Sequence, residues 1–456
     1  MSGNGIIALM KRKNTTTVHI AAAVWFSAVC SLFLISHRKG LMTLNIILCL
    51  INLFLYYRQK PEHRKLLSVL SLLCLITAAV WLIMGSEYAW YASCILSSIY
   101  GTAELIRYLK LNISVWKRSF TDDKIYWLLH LGMMTLLMYG FIRLSLLSFQ
   151  PDDMVRRMNP QAANITEYAP VTEEEYAGDF QIIRNIQYDT EYPNSVFDLM
   201  RSGKENAPLF VWFHGGGFIS GNRDSEDRTQ QFFAALLKEG YDIVSADYAL
   251  APDYRYPVPL IQAERLFLFL QDHQDELQIS TNSIVCGGTG AGAEIVIQYL
   301  CAAYNPVYAS ETGLTPVAKE QLKAAYLVSA CYQPQYSDET NYPLTDFIMY
   351  QQSRSYYSCF SLHESKDAKR ADCTAYITDD FPPLLIADGN TGTYTVQAHR
   401  MDDLLTERGI YHETDILDAP ANNKNLIGIS FDTEYNTYGV VHGKFLQMLR
   451  DIGITQ

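Results

Sequence analysis

Leu209-Phe210-Val211-Trp212-Phe213-His214-Gly215-Gly216-Gly217-Phe218 is the stretch on which the fold of this chain turns. Five consecutive apolar residues without alternation read as a strand buried on both faces, the kind that lies inside a parallel sheet. The three glycines that follow lack a Cβ, so the backbone can turn sharply and present bare N–H groups to a ligand. N–H groups fixed where negative charge develops form an oxyanion hole, which stabilises the intermediate of acyl transfer.

Working outward from that strand, apolar strand patterns alternate with helical ones from Phe180 onward, which predicts a mostly parallel sheet flanked by helices. The expected strands are Ile182–Tyr188, Val196–Met200, Leu209–Phe213, Asp242–Ser245, Ser283–Cys286, Ala324–Ala330, Leu384–Ala387 and Glu413–Leu417, eight in all. The expected helices are Asp227–Glu239, Pro259–Leu277, Ala293–Tyr304, Val396–Arg408 and Tyr438–Ile452. Residues 150–179 are polar and carry three prolines and Glu173-Glu174-Glu175, the composition of a linker or of a cap holding a short helix over the site. Pro334–Asp380 is long and rich in tyrosine, as expected of a lid or insertion over the sheet edge.

Three segments together resemble the hormone-sensitive-lipase-like branch of the α/β-hydrolase esterases. They are His214–Phe218; Asp247-Tyr248-Ala249-Leu250-Ala251-Pro252-Asp253-Tyr254-Arg255-Tyr256-Pro257; and Ile284-Val285-Cys286-Gly287-Gly288-Thr289-Gly290-Ala291-Gly292, which opens a helix. Pro382-Pro383 before Leu384 is a fourth, weaker match. The resemblance covers about residues 180–452 and implies an α/β-hydrolase unit over residues 180–456, acting on carboxylic esters without a cofactor. It puts the oxyanion hole on Gly216, Gly217 and Gly290 and the nucleophilic serine's place on Thr289.

A threonine hydroxyl attacks a carbonyl when a base activates it, but a β-branched residue is poorly suited to the strained turn that holds such a nucleophile. A buried hydroxyl bonded to backbone is the alternative for Thr289. The family's acid falls on Gly392, with Asp388 the nearest carboxylate, and its base falls on Asn422. The only histidine near the end of the chain is His442, inside the last helical pattern. Removing the nucleophile or the base alone costs on the order of a millionfold in rate. Two functions are therefore expected: an impaired or inactive ester hydrolase, or a non-catalytic module that binds an acyl-ester, carboxylate or protein partner in the retained hole.

The first 149 residues differ in kind. They carry fifteen Lys/Arg against five Asp/Glu, whereas the remainder carries 21 against 43. Thr17–Ser36, Leu41–Tyr57, Leu66–Gly85, Tyr88–Tyr108 and Ile125–Phe149 are each long enough to cross a bilayer as a helix. An all-α bundle of about five transmembrane helices is expected here, making the chain a multi-pass integral membrane protein. Lys11-Arg12-Lys13, the cluster Arg58 to Lys65 and the cluster Arg107 to Lys124 fall in alternate loops. The positive-inside rule then puts the hydrolase-like part outside the cytoplasm. No basic tract in that part suits nucleic acid, and no Cys/His spacing suits a metal. Cys359 and Cys373 lie in a polar stretch and are candidates for a disulfide in an oxidising space.

Overall fold

In the computed structural model the chain divides into two compact units, Met1–Gln150 and Pro151–Gln456. The structure describes residues 150–416 with short gaps at 161, 169–173, 178–179, 225–226, 341 and 390–391, then residues 437–454. In the first unit it describes only Leu72, Leu73, Ile76, Ala79, Val80 and Leu96, all in helical backbone. The five expected spans otherwise lie outside the described residues. Among the described residues no helix is long and apolar enough to cross a membrane.

The second unit is built on a twisted mixed sheet. Its strands are β1 (Glu174–Ala177), β2 (Phe180–Gln187), β3 (Val196–Arg201), β4 (Leu209–Phe213), β5 (Asp242–Ala246), β6 (Ile284–Thr289), β7 (Leu322–Val328), β8 (Leu384–Asp388) and β9 (His412–Ile416). They lie in the order β1-β2-β3-β5-β4-β6-β7-β8-β9. The pairs β1–β2, β2–β3 and β3–β5 are antiparallel, and every pair from β5 through β9 is parallel. The eight expected strands are present, and among the described residues a ninth joins them. The extra one is Glu174–Ala177, in the segment expected to be a linker, where Glu-Glu-Tyr-Ala offers no apolar alternation to signal it.

Around the sheet stand α1 (Pro151–Met158), α2 (Asp227–Glu239), α3 (Val258–Asp272), α4 (Ala291–Tyr304), α5 (Pro343–Tyr356), α6 (Thr395–Arg408) and α7 (Thr437–Asp451). Successive strand side chains point to opposite faces, so β4 feeds two cores. Phe210 and Trp212 join Phe232 and Phe233 of α2 and Phe445 of α7 on one face. Val211 and Phe213 meet α3, α4 and α6 on the other. Every residue of β4 is buried, as its unbroken apolar run requires. Two expectations need correcting. The helix expected over Pro259–Leu277 stops at Asp272 and restarts as the short turn Gln274–Leu277. Cys359 and Cys373 are not bridged, and all the described cysteines are free thiols.

Parallel strands end on the same side, and the loops leaving β4, β6, β7 and β8 gather there. Crevices of such sheets open outside those carboxyl ends.

Candidate active site

The loop after β4 is braced from below. His214 is 3% exposed, and its ring stacks on Tyr248 at 4.3 Å and 11°. Its Nδ1 lies 2.7 Å from the Gly215 carbonyl, and the Tyr248 hydroxyl donates to the His214 carbonyl at 2.8 Å. Burial, its largest influence, lowers the His214 pKa, so this ring is a neutral support. Arg223 closes the base: its Nε donates to Asp198 at 2.8 Å, and its guanidinium and backbone N–H both bond the Asp247 carboxylate. Above this frame Gly216 and Gly217 take φ of +114° and +61°. Their N–H groups donate to no described residue.

The turn after β6 corrects the expected register. Thr289 is the last residue of the strand, and its methyl lies against the loop: a Cβ placed on Gly215 would stand 2.9 Å from Thr289 Cγ2. The Thr289 hydroxyl hydrogen-bonds to no described residue, histidine and backbone included. The strained turn residue is Gly290, with φ +51° and ψ −115°, and α4 starts immediately after it. Its two neighbours at ±2 are the positions where the strand and helix touch. A Cβ on Gly288 would come within 2.4 Å of the Gly292 backbone, and one on Gly292 within 2.0 Å of the Phe213 carbonyl. Gly288-Thr289-Gly290-Ala291-Gly292 therefore has the form of a nucleophile elbow, Gly-x-nucleophile-x-Gly, with its centre at Gly290. A Cβ on Gly290 would meet nothing within 4 Å. The Gly290 N–H, expected in the hole, instead donates to the Val328 carbonyl at 2.8 Å. Ala291, the residue after the elbow centre, opens α4 at its positive end, and in nucleophile elbows the N–H of that residue serves the oxyanion hole.

At the family's acid position Gly392 has φ +65°, and a Cβ there would meet Thr345 Oγ1 at 2.6 Å. Asp388 is buried at the end of β8, where its Oδ1 accepts from Ser329 Oγ at 2.8 Å and from the Gly389 N–H at 2.7 Å. Burial pushes its pKa up to about 6. His442 lies in the aromatic layer between α7 and the sheet, stacked on Phe232 at 4.1 Å with Tyr326 at its edge. Burial lowers it to about 3. Neither group is brought to the Thr289 hydroxyl. Asn422 lies outside the described residues.

Residues 210–415 match the model of a family described by its alpha/beta hydrolase fold. That part of the chain is an α/β-hydrolase-fold unit. Among curated proteins, an acetyl esterase of Salmonella schwarzengrund is 28% identical over 114 residues, which are 25% of this chain and 35% of the esterase. An AB hydrolase superfamily protein of Schizosaccharomyces pombe is 30% identical over 149 residues, 32% of this chain and 42% of that protein. The chain therefore spans less than half the length of the relatives it matches. Among solved structures, esterase B of Lactobacillus rhamnosis superposes with a TM-score of 0.50 at 14% identity, over 61% of this chain and 88% of that one. That likeness shows the fold.

The hydrolase-fold unit carries a roof that the sequence did not single out residue by residue. Tyr356, at the end of α5, stacks on Phe218 at 3.7 Å and 4°. Gln352, one turn earlier, lies against Gly217. Asp152 of α1 ties this roof down by accepting from Ser355 Oγ at 2.6 Å and pairing with Arg255 at 2.6 Å. Glu294, in the first turn of α4, is buried and accepts from the Tyr357 hydroxyl at 2.6 Å. Burial pushes its pKa up to about 8, so at neutral pH the helix end below the hole carries no ionised Glu294. The signal for the elbow was legible: small residues at positions 288 and 292 bracket residue 290, not 289.

Proposed function

We infer that this hydrolase-fold unit binds an acyl or carboxylate ligand in an intact oxyanion hole and has lost ester hydrolysis. The observation that carries the reading is Gly290: the elbow centre has the backbone of a nucleophile position and no side chain to attack with. The acid position is likewise a glycine, and Thr289 points its methyl into the neighbouring loop. Backbone donors need no nucleophile to hold an anionic oxygen, so binding outlasts catalysis.

The test is turnover of p-nitrophenyl butyrate and labelling by a fluorophosphonate on the folded full chain. We expect neither; turnover with labelling at a single residue would overturn the reading. A hydrolytic alternative rests on one pair, Ser329 and Asp388. Ser329 sits at the end of the strand beside the elbow with φ +50° and donates to Asp388 at 2.8 Å. Labelling that disappears in Ser329→Ala would favour it.

We further infer that the first unit anchors the chain in a lipid bilayer with the hydrolase-fold unit outside the cytoplasm. The loop charges support this, as do Leu72, Leu73, Ile76 and Val80, which leave their side chains 36–47% exposed in helical backbone. Leu72, Ile76 and Val80 recur every fourth residue, a single apolar face. Resistance to alkaline extraction, with protease cleavage of the second unit from outside intact cells, is the expected result. Extraction into the soluble fraction would refute the anchor.

A further inference from the structure

We propose that Gln352 is the residue by which this site selects its ligand, donating to the second oxygen of a free carboxylate whose first oxygen sits in the hole. The proposal rests on the ligand-binding reading above and names the ligand class. Gln352 lies on α5, which roofs the site, and is 9% exposed. Its Oε1, Cδ and Nε2 stand 2.5, 3.2 and 3.7 Å from where a Cβ on Gly217 would be, so its carboxamide faces the glycine that supplies a hole donor. It makes no hydrogen bond to any described residue. The adjacent Gln351 is the contrast, since its Oε1 is occupied by Arg354 NH1 at 2.8 Å. Neither polar atom of Gln352 is sealed from solvent, so its carboxamide is open to a ligand.

The chemistry of the partner follows from what surrounds the empty position. The Gly216 and Gly217 N–H groups donate to no described residue, and Ala291 opens α4, whose N-terminal end favours a negatively charged acceptor. Gly290 places no atom where a serine oxygen would stand, so the ligand's carboxyl carbon can approach without reacting. The Gln352 amide can present its NH2 toward the site by rotating its terminal group, since its O and N are interchangeable by that flip. A carboxylate has two full acceptors to satisfy both sets of donors. An ester has one strong acceptor and a weak alkoxy oxygen, and its neutral charge gains less from a helix end. The neighbouring Glu294 is protonated at neutral pH, and so does not repel the anion.

The experiment measures binding of sodium butyrate and of its uncharged counterpart methyl butyrate to the purified full chain at pH 7, by titration calorimetry. Three proteins are compared: the natural chain, Gln352→Leu, and Gly290→Leu, whose side chain enters the open space at the elbow. We expect butyrate to bind the natural chain at least about tenfold more tightly than methyl butyrate. Gln352→Leu should weaken butyrate about tenfold or more while leaving methyl butyrate unchanged, and Gly290→Leu should abolish both. Butyrate binding lost in Gly290→Leu but untouched in Gln352→Leu would overturn the role of Gln352 and leave the ligand-binding reading standing. No butyrate binding to the natural chain, or binding indifferent to both substitutions, would overturn both. Circular dichroism of each variant identifies any that has failed to fold; for such a variant Gln352→Met and Gly290→Met replace it, with the same expected outcomes.

Discussion

The two sides of the candidate site differ in kind. On one side the loop from His214 to Phe218 is held by a buried ring stack, by Tyr248 and by the Arg223 pair with Asp198 and Asp247. On the other, the elbow centre and the acid position are glycines at 290 and 392. The first wall is a backbone shape that falls out of packing, so changing it means disturbing the core. At the second, a Cβ on Gly290 would meet nothing within 4 Å, so a side chain can be absent there without leaving a cavity in the core. On the function proposed above, a hole is harder to lose than a triad.

The largest effect that could break the contrast lies where the walls meet. Gly292→Val puts a methyl-bearing carbon on the Phe213 carbonyl, and should cost more than about 4 kcal/mol or prevent folding, as read by urea unfolding. Arg223→Leu should cost about 3–5 kcal/mol, because it leaves the buried Asp247 without its cation and Asp198 with Arg184 alone. A loss below 1 kcal/mol would mean that the hole is not braced as described.

Titration sharpens the comparison on the elbow side. Glu294 is raised by burial to about 8, so the folded state binds its proton more tightly than the unfolded chain does. Its contribution is present in full below the unfolded pKa, near 4.5, and is lost as pH rises toward 8 and beyond. Glu294→Gln should flatten that decline, by on the order of 5 kcal/mol at pH 9, in thermal melts across pH 5–9. His442, lowered to about 3, has the opposite sign: its contribution is present above about 6.5 and is lost on acidification toward 3. His442→Phe should soften the acid limb.

The smallest structural effect is predicted at Gly290→Ser. A Cβ meets nothing there, so the cost should be only the strain of its positive φ, about 1–3 kcal/mol. The variant should remain folded and still fail to hydrolyse p-nitrophenyl butyrate, for want of a base. Robust turnover would show that a base and an acid are present after all.

The fold was legible because its signals are local. Leu209–Phe213 reads as a doubly buried strand from five residues, and α2 matches its expected bounds at both ends. What escaped depended on partners distant in sequence. Glu174–Ala177 is a strand only because Phe180–Gln187 pairs with it. The Thr289 hydroxyl mimics serine, whereas the turn is set by the close approach of Gly288 to Gly292 and of Gly292 to β4. That the Gly290 N–H is taken by Val328 has no trace in local sequence, since Val328 ends the neighbouring strand. Gln352 reaches the hole from a helix that nothing near His214–Phe218 announces.

Asp152 lies two residues into the second unit, bonded through one carboxylate to Arg255 and to Ser355 of the roof helix. Seen as a mechanical fitting, it is the first point at which tension on the chain at residue 150 meets the sheet-bearing body. Arg255 belongs to the loop following β5 and Ser355 neighbours Tyr356, which rests on Phe218. A pull at that point would load the roof before it loads a single strand. By reciprocity, any ligand that shifts the roof must alter how tightly Asp152 is held, by the same free energy.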